Sequence, residues 1–219
     1  MGVRGRYEHD IEDVQNELIK LCKLSISQLD LTFKSFINKD LKLAREIINK
    51  DTEINHLEEL INDRVILIMT RQQPVAKDLR RLVVLLKAAS DMERVGDYAV
   101  NIAKETIRIG DSQFITSVEL IEDMFLKTSA MLNQVVEAFV EENTTKAKEV
   151  ADFDDQIDEM YGSMITQLMK LSSVRPENIS QITNLAFICR FIERCADLAT
   201  NIAEYLFYLK KGQRFDLNN

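Results

Sequence analysis

Residues Met92 to Ala103 read Met-Glu-Arg-Val-Gly-Asp-Tyr-Ala-Val-Asn-Ile-Ala, and Ile192 to Ala203 read Ile-Glu-Arg-Cys-Ala-Asp-Leu-Ala-Thr-Asn-Ile-Ala. Seven of the twelve positions are identical at a spacing of 100 residues. A repeat of that period requires two similar structural units. The returning residues include Glu, Arg, Asp and Asn, so a polar arrangement has been duplicated together with its scaffold. A second alignment, offset by 103, pairs Asp40 with Asn143, Ala44 with Ala147, Glu46 with Glu149, Asp51 with Asp154 and Ile54 with Ile157. The three-residue difference between offsets belongs in a loop, where it is tolerated, rather than inside a helix.

The units should be helical. The chain has 219 residues with only 6 Gly, 2 Pro and no Trp. Strand proteins need more turn residues and more β-branched alternation. Punctuation falls at Asn38-Lys39-Asp40, with Asp40 a good N-cap, and at Gln72-Gln73-Pro74, Gly110-Asp-Ser112, Asn143-Thr-Thr145 and Ser172-Ser-Val-Arg-Pro176. These breaks predict six long helices over 6–37, 40–71, 75–109, 114–141, 144–172 and 176–210. Leu18, Leu21, Ser25 and Leu29 in the first, and Met124, Met131, Val135 and Phe139 in the fourth, keep helical spacing. Short connections make neighbours antiparallel. The expected fold is all-α: two tandem homologous three-helix bundles, residues 1–110 and 111–219, set end to end or side by side.

The net charge of −8 argues against nucleic acid, since Arg80-Arg81 and Lys210-Lys211 are short and separated. Cys22, Cys189 and Cys195 show no CxxC spacing and read as packing residues in a reducing compartment. No signal-peptide core and no run of 18 apolar residues is present, so a cytoplasmic protein is expected.

At about 100° per residue the faces of the helices can be assigned. Glu93 falls in the seam Leu82, Leu86, Ala89, Gly96, Val100, Ala103 and Ile107, with Asp97 and Asn101 to one side. Glu193 falls in the seam Ile182, Ala186, Cys189, Ala196, Thr200, Ala203 and Phe207, with Asp197 and Asn201 beside it. On the second helix Asp51, Asn55, Glu58 and Asn62 form a polar stripe; on the fifth, Asp154, Asp158 and Tyr161 correspond. Antiparallel packing then brings Glu93 and Asp97 to Asp51 and Asn55, and Glu193 and Asp197 to Asp154 and Asp158. Asp91 points the opposite way, toward solvent, and Arg94 and Arg194 turn out of the seams.

Clustered carboxylates oppose one another and need a counter-charge. With the arginines turned away, a cation is the remaining source. Hard oxygen donors favour Mg, Ca, Mn or Fe over a structural zinc. His56 has Glu159 as its counterpart and reads as a surface residue. Solvated faces account for many Glu-x-x-x-Asp pairs, and it is duplication at embedded seam positions that raises these two above that background.

At these residues the chain resembles the PhoU family. The resemblance rests on Glu93-Arg-Val-Gly-Asp97-Tyr-Ala-Val-Asn-Ile-Ala103 and Glu193-Arg-Cys-Ala-Asp197-Leu-Ala-Thr-Asn-Ile-Ala203. It extends to Gln72-Gln-Pro-Val-Ala-Lys-Asp-Leu-Arg80 and Asp51-Thr-Glu-Ile-Asn55, and covers about Tyr7 to Leu209. It implies a non-enzymatic, cytoplasmic, sometimes membrane-peripheral homodimer. Such a protein restrains phosphate uptake and the phosphate-starvation response, as an adaptor between the ATPase of a phosphate ABC transporter and a sensor histidine kinase. It also implies divalent or iron-type ions (Fe, Mn, Mg or Zn) on Glu93, Asp97, Glu193 and Asp197, helped by Asp51, Asn55, Asp154 and Asp158. Asn55 stands where the second half has Asp158 and adds no charge, so the first site is expected to bind a cation less tightly. Alternatives are service to a secondary phosphate transporter, or a diiron-carboxylate enzyme. The latter usually takes Glu-x-x-His from two helices, and the second half has no His.

Overall fold

The computed structural model describes residues 3–217, and among them every regular element is helical. The order is α1 (Val3–Asn38), α2 (Leu41–Lys50), α3 (Thr52–Gln72), α4 (Lys77–Ile109), α5 (Glu119–Val140), α6 (Thr144–Ala151), α7 (Asp154–Val174) and α8 (Ile179–Lys211), with a 3₁₀ turn at Pro176–Asn178. The repeat is plain in this order: long helix, broken helix, long helix, twice.

Local chemistry sets the boundaries. The Asp40 carboxylate accepts from the backbone N–H groups of Lys42 and Leu43 at 3.1 and 2.9 Å. Its counterpart Asn143 accepts from Thr145 and Lys146, both at 3.1 Å. Each cap satisfies donors that the first helical turn leaves orphaned. Gln73 closes α3 at φ 45°, ahead of Pro74.

The expected second and fifth helices are each divided. α2 ends at Lys50 and α3 starts at Thr52; α6 ends at Ala151 and α7 starts at Asp154. No Pro or Gly marks either break. Packing explains the first: Ala44 and Ile47 of α2 form a small apolar cluster with Ala103 of α4, and the chain must turn at Asp51 to lay Ile54, Ile61 and Val65 of α3 in the main core. The breaks place Asp51 and Asp154 at helix N-termini, where the macrodipole favours negative charge.

The units lie side by side. α4 and α8 pack most extensively on each other, and α1 touches α5. One apolar core runs through both repeats, including Leu18 and Leu21 of α1, Leu85 and Met92 of α4, Met131 of α5 and Cys189 of α8. All three cysteines are buried thiols within it.

Gly96 sets the approach of α3 to α4. A Cβ there would meet Ile54 Cδ1 at 3.0 Å and Cγ2 at 3.2 Å. The second repeat tolerates Ala196 at the equivalent place. Gly96→Val is expected to cost about 1–3 kcal/mol by overpacking and to push Asp51 away from Glu93. Urea unfolding checks this, and an unchanged midpoint would show that the close approach is unnecessary.

Candidate metal centres

In the second repeat α7 and α8 bring carboxylates together. One oxygen each from Asp158, Glu193 and Asp197 lies within 4.8 Å of the others, the one such trio among the described residues. Glu193 is 7% exposed and Asp154 6%, so both carboxyl groups have left bulk water. Asp154 Oδ1 and Glu193 Oε2 are buried without a hydrogen-bond partner. Burial first, then the charges of Asp197 and Asp158, pushes the Asp154 pKa up to about 7.

The cluster carries its own cations. Arg190 Nη1 donates to Glu193 Oε1 at 2.6 Å, and Arg194 Nη1 donates to Asp197 Oδ2 at 2.6 Å. The expectation that Arg194 turns away is corrected by this geometry. An offset of about 100° separates the Cβ directions of neighbouring residues, but a guanidinium on a flexible stem reaches a carboxylate one turn on. Arg190 was not singled out from the sequence, although its position three residues before Glu193 is the available signal.

The first repeat assembles differently. Glu93 is partly buried, and burial followed by the charges of Asp97, Glu58 and Asp51 pushes its pKa up to about 7. Asp97 is more exposed than Glu93, and partial desolvation of its carboxyl, followed by the charge of Asp51, raises its pKa. Asp51 accepts from Gln28 Nε2 at 3.1 Å, and Gln28 also reaches the Gly96 carbonyl at 3.3 Å. Glu58 accepts from Asn62 at 2.6 Å. Asn55 Oδ1 is buried and has no partner. Among the described residues no Lys or Arg forms an ion pair with Asp51, Glu58, Glu93 or Asp97. Glu58 therefore joins Asp51, Asn55, Glu93 and Asp97, and Gln28 of α1 supports them from behind.

Asp91 also departs from expectation. It is 6% exposed and accepts from Tyr205 Oη at 2.8 Å, while Arg94 pairs with it at 3.8 Å. Helix α8 of the other repeat covers the face that a lone helix wheel assigns to solvent. His56 is exposed, as is Glu53 at Glu-x-x-His spacing before it.

A cleft of about 420 Å³ lined by Arg94, Tyr98, Glu193, Arg194, Asp197 and Asn201 leads solvent to the second cluster. The donor set fits a hard cation in chemistry and in access. It consists of carboxylate and amide oxygens, some buried and unpaired.

The PhoU domain family model matches this chain twice, over residues 18–106 and 121–206. The chain belongs to the PhoU family. It is 33% identical over 217 residues to a phosphate-specific transport system accessory protein PhoU homolog of Clostridium acetobutylicum, covering 99% of each chain. Against the accessory protein PhoU of Escherichia coli K12 it is 28% identical, covering 97% of this chain and 88% of the relative. The crystal structure of the phosphate transport system regulatory protein PhoU from Streptococcus pneumoniae superposes with a TM-score of 0.90 at 28% identity, over 96% of this chain and 99% of that one. That of PhoU from Pseudomonas aeruginosa gives 0.91 at 28% identity, over 94% and 100%. The all-α fold with a tandem repeat is thereby shown.

Proposed function

We propose that this PhoU-family chain is a cytoplasmic, non-enzymatic regulator that restrains phosphate uptake and represses the phosphate-starvation response. It docks on the ATPase of a phosphate ABC transporter and on a sensor histidine kinase. The observation that carries this reading is similarity over 99% of this chain to relatives named as accessory proteins of phosphate-specific transport, of which 99% and 100% are covered. Residues 1–110 and 111–219 are taken as the two repeats, and a homodimer as the working unit. No described helix is long and apolar enough to cross a membrane, which agrees with a partner that meets the transporter from outside the bilayer.

In the same reading Glu93, Asp97, Asp51 and Asn55 hold one cation site, and Glu193, Asp197, Asp154 and Asp158 hold the other. A bound divalent or iron-type ion supplies positive charge that offsets carboxylate repulsion. The protein's own part is to hold α3 against α4 and α7 against α8, so that acidic side chains from two helices face one another. Gln28 fixes the Asp51 rotamer, and the Asn55 carbonyl offers a neutral oxygen.

Affinity capture on the folded full-length chain tests the adaptor role. The transporter ATPase and the kinase should each be retained at micromolar concentration, and deletion of the gene should raise phosphate uptake in phosphate-rich medium. Retention of neither partner, with uptake unchanged, would contradict it.

A further inference from the structure

The repeats differ beside their acidic clusters, and three exchanges act together there. Arg190 stands where the first repeat has Ser90, Phe191 where it has Asp91, and Tyr161 where it has Glu58. Each exchange raises the local charge by one: a guanidinium is gained, and two carboxylates give way to uncharged rings. Arg190 replaces a neutral, exposed serine and donates at 2.6 Å to Glu193. Its guanidinium carbon lies 5.6 Å from the centre of the Tyr161 ring, a cation–π platform that Glu58 does not offer. Phe191 stacks on Tyr98 at 5.8 Å and gives Arg194 no carboxylate to turn toward, so Arg194 folds onto Asp197. In the first repeat Asp91 draws Arg94 to itself, 3.8 Å away.

We propose that Arg190 is a tethered counter-cation of the second cluster, so that the two repeats take divalent cations unequally: the first freely, the second only by displacing Arg190. This inference rests on the cation reading given above. A dication entering the second site must take Glu193 Oε1 from the guanidinium, and Arg190 would then sit beside a like charge. Glu193 Oε2, buried, without a hydrogen-bond partner and 3.7 Å from Arg194 Nε, is the less tightly held oxygen from which such an exchange starts. Each cluster has four carboxylates, Asp51, Glu58, Glu93 and Asp97 against Asp154, Asp158, Glu193 and Asp197. The guanidiniums of Arg190 and Arg194 therefore decide the order of loading, and they reverse the one that Asn55 against Asp158 alone suggests.

Manganese(II) binding to the full chain, followed by calorimetry and by the loss of the free-ion spin-resonance signal, tests this. With the first cluster silenced by Glu93→Gln and Asp97→Asn, Arg190→Ser should tighten manganese binding by about tenfold or more, the scale on which groups touching a ligand tune affinity. Arg190→Lys, which keeps the charge, should recover most of the weak binding. The reciprocal graft, Ser90→Arg at an exposed position that leaves every carboxylate of the first cluster in place, should weaken the first site by a similar factor. It keeps the proposal testable if Arg190→Ser does not fold. Equal affinities with and without Arg190, or no effect of the graft, would overturn the proposal and leave the cation reading standing. No manganese bound by the wild type or by any variant would overturn both.

Discussion

Glu93→Gln is expected to make the cation-free protein more stable above pH 7 and to remove most of the first cluster's response to divalent cations. The Glu93 carboxyl titrates near 4.5 in the unfolded chain and is pushed up to about 7 in the fold, by burial and then by Asp97, Glu58 and Asp51. Between those values the native state holds a proton that the unfolded state has lost, so stability falls as pH rises. Asp154, pushed from 3.8 to about 7, acts in the same sense. The cation-free wild type should therefore lose thermal stability from about pH 5 to pH 8. The neutral glutamine should flatten part of that slope. Its gain at pH 8 is on the order of 1 kcal/mol once partial solvent exposure is allowed for. With cation at about one hundred times its Kd, the wild type should gain about 2.7 kcal/mol per site. Differential scanning calorimetry across pH, with and without manganese, reads both effects. A wild type that grows more stable from pH 5 to pH 8 without metal would contradict the electrostatics.

Leu85→Ala should destabilise the whole chain, including the repeat that does not contain it. Leu85 is 1% exposed and lies on α4, the helix that packs on α1, α3 and α8. Truncating a buried leucine costs about 2–5 kcal/mol, through lost transfer energy and an incompletely refilled cavity. Because one core runs through both repeats, the loss should appear as an earlier but still single urea transition with its slope preserved. A biphasic curve, in which residues of α5 to α7 unfold at the wild-type midpoint, would show that the repeats are separate folding units. A cost below about 1 kcal/mol would show that the site collapses around the alanine.

Much of this molecule can be read from residue order because its signals are local. The Asp40 and Asn143 caps, the turn ahead of Pro74 and the embedded positions of Glu93 and Glu193 each depend on chemistry within one or two helical turns. Duplication then multiplied weak local signals, since the acidic pair appears in the same register twice. What escaped depended on other elements. Asp91 is covered by Tyr205 of α8, and a wheel drawn for α4 contains no information about α8. The breaks at Asp51 and at Asp152-Phe153 carry no breaker residue; at the first, α2 packs its own small cluster on Ala103 before α3 enters the main core. Arg194 lies about 100° from Glu193 but is an i,i+3 neighbour of Asp197, and Arg190 stands in the same relation to Glu193. Both pairings are legible only by comparing each arginine with the carboxylate three residues on. Gln28 reaches Asp51 from α1, a contact across 23 residues that periodicity does not encode.

Crystals of the full-length chain soaked in manganese, with anomalous differences recorded near the metal edge, test the central claim most directly. Anomalous density is expected beside Glu93, Asp97 and Asp51. At higher manganese concentration it should also appear among Asp158, Glu193 and Asp197, with Arg190 moved off Glu193. Density confined to other surface carboxylates, with both clusters bare at saturating manganese, would contradict the assignment of the repeated motifs as cation sites.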